Sequence, residues 1–229
     1  MNTLKLLLVF LALGTLAFAT STILIFDDSG SMADTISGSS STKIDMAKQA
    51  ATTFLNNVRS GDEVSLIVFY DCGDIRTEVP FTTDMQPIRD KITGLTPQSS
   101  TPIAKSIDYA ASYAQTSGRS GAQIILLTDG EETCDSQQDA VTAATNAVAN
   151  NIKIVNVVGL GLDPTSSEAT NDQAIATAGK GNYYGANDVG SLSSSLAQAY
   201  GNNGGSTCCL PSLALPAVVL AAVFYSRKR

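Results

Sequence analysis

Three stretches of this chain are apolar almost without a break, and they constrain the fold more than any other feature. Residues 22–26, 122–128 and 152–158 are dominated by Ile, Leu, Val and Phe. A strand with one wet face alternates polar and apolar residues. A strand covered by helices on both faces reads as a continuous apolar run. The segments between these runs carry helical periodicity. Thr42 reads as an N-cap with Asp45 three residues on, and Ile44, Ala47, Ala51, Phe54, Leu55 and Val58 fall on one face. Residues 60–62 close that helix.

Residues 64–70 and 77–81 read as two more strands. Their connection is so short that they are expected to pair antiparallel. A short helix over 85–92 follows. Thr101-Pro102 opens the next helix with Pro at its first position, and Ile103, Ile107, Ala110, Ala111 and Ala114 form its buried stripe. Residues 136–150 read as a helix with Val141, Ala144 and Val148 inward. Another helix is expected over 165–178, then a short edge strand at 182–184. A last helix, capped by Asp188, carries Leu192, Leu196 and Tyr200. This alternation predicts an α/β fold, a doubly wound, mostly parallel sheet with one antiparallel edge strand.

Both ends of the 229-residue chain read as something other than domain. Residues 1–19 combine Lys5, an apolar stretch over 6–18 and Ala17-Phe18-Ala19, the pattern of a signal peptide. An uncleaved N-terminal anchor is the other reading. Residues 201–209 are a small, polar spacer ending in Cys208-Cys209. Residues 210–229 are an uncharged segment followed by Arg227, Lys228 and Arg229, expected to be a hydrophobic anchor or a sorting tail with the domain outside the cytoplasm. The segment is short for a span and contains Pro211 and Pro216. It resembles, loosely, the C-terminal sorting signals of prokaryotic surface proteins. The expected domain is 20–200, and the protein is expected to be exported, at the cell surface or membrane-anchored.

Without Lys5 and the three terminal basic residues, Lys plus Arg falls from 14 to 10 against 21 acids, leaving about −11. That balance argues against nucleic-acid partners and for a cation or a basic surface. The chain has no His, which removes the usual base of nucleophilic triads and the commonest zinc ligand. Cys72 and Cys134 would both lie in loops after strands at one end of the sheet and are expected to pair, with two free thiols as the alternative.

The chemistry concentrates in three loops. Asp27, Ser29 and Ser31 follow the first strand, Thr101 precedes a helix, and Asp129 follows a core strand within Thr128-Asp129-Gly130. Two carboxylates and three hydroxyls, without sulfur or imidazole, are the donor set of a hard divalent cation with room for water or an outside ligand. The carboxyl ends of strands are where an α/β sheet is expected to hold its ligand.

These motifs, in this order, resemble the metal-ion-dependent adhesion site of von Willebrand factor type A (vWA) domains, and the likeness spans residues 22–200. The context also resembles secreted prokaryotic members with paired loop cysteines. The resemblance implies a Rossmann-like fold and metal ligands at Asp27, Ser29, Ser31, Thr101 and Asp129. It implies Mg²⁺, with Mn²⁺ or Ca²⁺ as alternatives, and a protein partner whose acidic side chain fills the open coordination place. In related domains such changes can be coupled to the last helix, here residues 188–200. An accessory subunit of a membrane complex and a metal-dependent phosphohydrolase with Asp27 as nucleophile are the alternatives to a non-enzymatic adhesion module. Asp28 reads as a solvated loop charge, and so do Asp71 and Asp74, with a second cation site as the alternative for that pair. Glu131 and Glu132 read as favouring the start of the following helix, and Tyr183-Tyr184 as edge-strand packing.

Overall fold

The computed structural model describes residues 19–98, 100–130 and 132–201. Residues 1–18 of the expected signal peptide, Glu131, Cys208, Cys209 and the apolar tail lie outside the described residues. Among those described, no helix is long and apolar enough to cross a membrane.

Six strands form one sheet in the order β3-β2-β1-β4-β5-β6. They are β1 (Ser21–Asp27), β2 (Glu63–Asp71), β3 (Asp74–Thr82), β4 (Gln123–Thr128), β5 (Val155–Leu160) and β6 (Lys180–Ala186). Only β2 and β3 pair antiparallel; the rest are parallel. The helices are α1 (Lys43–Asn56), α2 (Gln86–Thr93), α3 (Ile103–Thr116), α4 (Gln137–Ala149), α5 (Ser167–Ala178) and α6 (Val189–Gly201).

The apolar runs are continuous because both faces of the central strands are buried. Leu24, Phe26, Leu66, Val68, Ile125 and Leu127 face the layer that holds α1, α2 and α6. Ile23, Ile25, Ile67, Phe69, Ile124 and Leu126 face α3, α4 and α5. The chain winds outward from β1 in one direction and from β4 in the other. The order therefore reverses between these two strands, and a crevice opens at their carboxyl ends.

Helix starts follow local chemistry. Thr42 accepts from the Asp45 amide, and Ser136 and Asp139 cap each other at α4. Asp188 accepts from the amides of Gly190 and Ser191 at α6. Three expectations need correction. Pro102 is the N-cap of α3 rather than its first residue, and carries no side-chain oxygen to cap with. The inward stripe of α4 is Ala140, Ala143, Ala144 and Ala147, with Val141 and Val148 only half-buried at its flank, because the helix packs closely on α3. The strand expected at 182–184 runs the full length of Lys180–Ala186. Its glycines obscure it in the sequence. A Cβ on Gly181 would lie 2.1 Å from the Val155 carbonyl oxygen, so this close approach admits only glycine.

At the amino ends of the strands, Asp62 gathers both ends of the domain. Its carboxylate accepts from the Thr20 amide at 2.8 Å, from Arg59 at 2.9 Å and from the Tyr200 hydroxyl. Tyr200 also packs edge-on against Phe54. Burial raises the Asp62 pKa, but the Thr20, Tyr200 and Arg59 donors outweigh it and hold the carboxyl below the ordinary range. Its contribution is complete above the unfolded pKa and is lost as pH falls through the lowered one. Asp62→Asn is therefore expected to be less stable at neutral pH and to show a flatter loss of stability below about pH 4. Urea midpoints of the two proteins across that range check this.

Candidate functional site

The sheet's reversal point brings together the loops marked by the sequence. Asp27 ends β1, and Asp129 follows β4, the neighbouring strand. The Ser29 and Ser31 hydroxyls are hydrogen-bonded to each other at 3.2 Å, and Ser31 Oγ donates to Asp129 Oδ1 at 2.8 Å. Asp27 is fully buried. Its Oδ1 accepts from the Ser29 amide at 2.7 Å and its Oδ2 from the Thr128 hydroxyl at 2.6 Å. Burial, and then the charge of Asp129, push the Asp27 pKa up to about 7.

Thr101 joins through the backbone. Its N–H donates to Thr133 Oγ1 at 2.8 Å and its carbonyl accepts from the Thr133 amide at 3.1 Å, fixing it against the loop that begins at Asp129. No direct hydrogen bond joins its hydroxyl to the other four among the described residues. The Gln98 amide donates to the Asp28 carbonyl at 2.6 Å, tying the Thr101 loop to the end of β1. A disulfide between Cys72 and Cys134, 5.4 Å apart at Cα, joins the β2–β3 turn to the loop after β4.

Four participants are not apparent from the motifs. Lys43 Nζ pairs with Asp129 Oδ2 at 2.7 Å, its side chain 15% exposed and that of Asp129 fully buried. A Lys at the first position of a helix opposes the helix dipole, and that mismatch is the available sequence signal. Glu132 accepts from the Ala104 amide at 2.6 Å and from Cys134 and Asp135, so it caps α3, the preceding helix rather than the following one. A proline N-cap without an oxygen calls for such an outside acceptor. Asp172 in α5 is buried, and its pKa is pushed well up, first by burial and then by Asp27 and Asp129. Asp28, expected to be solvated, has no exposure at all. Asp71 is exposed and accepts from the Cys72 amide, and Asp74, its side chain 39% exposed, pairs with Arg76 through both oxygens. Tyr183 and Tyr184 are half-buried against the two core layers.

The donor set fits a hard divalent cation. Two carboxylates in electrostatic contact, one raised by burial and by its neighbour, have a single ammonium beside them, and three hydroxyls complete an all-oxygen set. Among the described residues no three carboxylate, imidazole or thiol side chains converge, so the hydroxyls are indispensable to any such site.

A six-stranded, mostly parallel sheet with oxygen donors at its reversal point defines a Rossmann-like α/β domain. The family model for the von Willebrand factor type A domain matches residues 22–132. The Bacillus subtilis (strain 168) protein YwmC is 31% identical over 174 residues, covering 70% of this chain and 74% of its own. YwmD from the same organism is 29% identical over 184 residues, covering 74% and 80%. The chain belongs to the vWA family. Among solved structures, BatB from Bacteroides thetaiotaomicron superposes with a TM-score of 0.66 at 24% identity, covering 81% of this chain and 99% of that one. A vWA protein from Catenulispora acidiphila superposes with a TM-score of 0.67 at 21% identity, covering 82% and 43%. An aerotolerance-related membrane protein from Bacteroides fragilis NCTC 9343 gives 0.65 at 23%, covering 80% and 99%. These structural likenesses establish the fold.

The raised pKa of Asp27 carries a pH signature. The folded protein keeps that proton to about pH 7, whereas an unfolded Asp releases it near pH 4. Stability from this group is present at low pH and is lost as pH rises through the folded value. In chelator, the thermal midpoint is expected to fall between about pH 5 and about pH 8, and the fall is expected to shrink in Asp27→Asn.

Proposed function

We propose that this domain is an exported, divalent-metal-dependent protein-binding module, held at the cell surface or membrane through its C-terminal segment. The observation that carries the reading is the chain Ser29–Ser31–Asp129 beside buried Asp27, at the carboxyl-end crevice of the sheet. Asp27, Ser29, Ser31, Thr101 and Asp129 would hold Mg²⁺, or Mn²⁺ or Ca²⁺ in its place. A bound divalent cation supplies a positive centre with a coordination place for a carboxylate oxygen from a partner protein. The residues here hold that centre, keep its surroundings poor in water and limit its negative charge.

The interaction reading is favoured over phosphoryl chemistry by the state of Asp27. Both its oxygens already accept hydrogen bonds, from Ser29 and Thr128, which weakens it as a nucleophile. Ser29 stands two residues on, where a second acid would be needed. A second interaction role, as accessory subunit of a membrane complex, is suggested by the membrane protein of Bacteroides fragilis with the same fold. An adhesion module and an accessory subunit share the metal-dependent surface and differ in the partner.

Calorimetric titration of Mg²⁺ into the purified protein is the direct test. One binding event is expected, weakened at least about tenfold by Asp129→Ala with the fold retained. Heat of dilution alone would overturn the metal reading. Lys43→Met is expected to cost roughly 3 kcal/mol in chelator, because it leaves Asp129 buried and unpaired. Mg²⁺ is expected to bind that variant several-fold more tightly, since the ammonium no longer competes. Thermal midpoints with and without Mg²⁺ read both effects. Partner capture with Mg²⁺ and then chelator tests the interaction itself.

A further inference from the structure

One residue beyond Asp27, the chain buries a second carboxylate for which the metal reading has no use. Asp28 has no exposed surface, and neither of its oxygens has a hydrogen-bond partner. A buried, unpartnered carboxylate is costly, and such groups call for a specific counter-group.

Asp28 lines a cavity of about 260 Å³ together with Tyr70, Asp90, Lys91, Leu95 and Thr96. The cations nearest to it are already engaged. Lys91 Nζ pairs with Glu78 at 2.6 Å, and Lys48 Nζ donates to the Leu95 carbonyl at 2.7 Å. The Tyr70 hydroxyl donates to Glu78 at 2.7 Å, and the Arg76 guanidinium stands 5.2 Å from its ring centroid, so the ring already takes one cation and offers its remaining surface to the neighbourhood. The last turn of α2, through Asp90, Lys91 and the residues after it, forms one wall. A helix carboxyl end carries negative partial charge, which again favours a cation. An aromatic ring, a helix carboxyl end and a buried carboxylate together suit an ammonium or guanidinium group.

The volume is too small for a drug-sized ligand and suits the head of one side chain. The cavity also adjoins the oxygen-donor site. The loop that borders it, tied to the Asp28 carbonyl by the Gln98 amide, is the loop that leads to Thr101.

We propose that the Asp28 cavity is a subsite for a basic side chain, Lys or Arg, of the partner protein, set beside the position that receives its acidic side chain. The identity of the occupant as a partner residue rests on the proposed function; the site for a basic group does not. The domain would then select partners that present a carboxylate and a cation close together.

The test uses butylguanidinium as the probe, titrated into the full-length ¹⁵N-labelled protein in chelator, where the metal site plays no part. Saturable amide shifts are expected at Gly94, Thr96 and Gln98. Asp28→Asn, close to isosteric, is expected to weaken binding at least about tenfold while leaving the remaining spectrum folded. Absence of saturable shifts, or equal shifts in Asp28→Asn, would overturn the proposal. So would shifts at these amides produced by Mg²⁺ in Asp27→Ala, which would make the cavity a metal site instead. Calorimetry of Mg²⁺ reads the five-oxygen site separately, so either reading can fail alone.

Discussion

The repulsion between two carboxylates at the ends of adjacent parallel strands organises this molecule. Register sets Phe26 opposite Leu127, so pairing of β1 with β4 brings Asp27 to the end of one strand and Asp129, just past Thr128, to the end of its neighbour, and burial denies both the water that would screen them. Everything nearby answers that charge. Thr128 and the Ser29 amide donate to Asp27, Ser31 and Lys43 donate to Asp129, and the Asp27 carboxyl is pushed towards its neutral form. A sheet that wound in one direction only would have no crevice in which to hold such a pair.

The loops that present these groups have little regular structure of their own, and they are fastened by other means. The Cys72–Cys134 disulfide, the Thr101–Thr133 backbone pair and the Glu132 cap on α3 all converge on residues 129–135. By loop-closure entropy alone, a bridge across 62 residues stabilises by about 4 kcal/mol. More to the point, it ties the antiparallel hairpin to the loop after β4, so the donor groups sit on a framework that does not splay. Pre-positioned ligands lose less freedom on binding than mobile ones.

Most of the fold is legible in the sequence because its rules are local and redundant. Continuous apolar runs signal double-sided burial, and Thr42, Ser136 and Asp188 announce their helices. The candidate set Asp27, Ser29, Ser31, Thr101 and Asp129 comes from motif order together with the family resemblance that the order carries. What escapes is governed by close packing and by long-range pairing. Strand β6 is glycine-rich because β5 approaches too closely for a side chain, so its composition imitates a loop. Alanine wins over valine on the inner stripe of α4 for the same reason. Asp28, Lys43, Glu132 and Asp172 each have bland surroundings in sequence. Their environments are made by residues tens of positions away, and an ordinary surface charge and a buried one look alike until the sheet is assembled.

The Asp62 carboxylate has a mechanical consequence. Thr20 and Tyr200, close to the first and last described residues of the domain, meet at one residue on the pole opposite the oxygen donors. A pull applied between those two points works first on that knot of short-range bonds, peeling the last helix from the amino ends of the strands. The crevice between β1 and β4 lies at the far end of the same strands, so tension reaches it last.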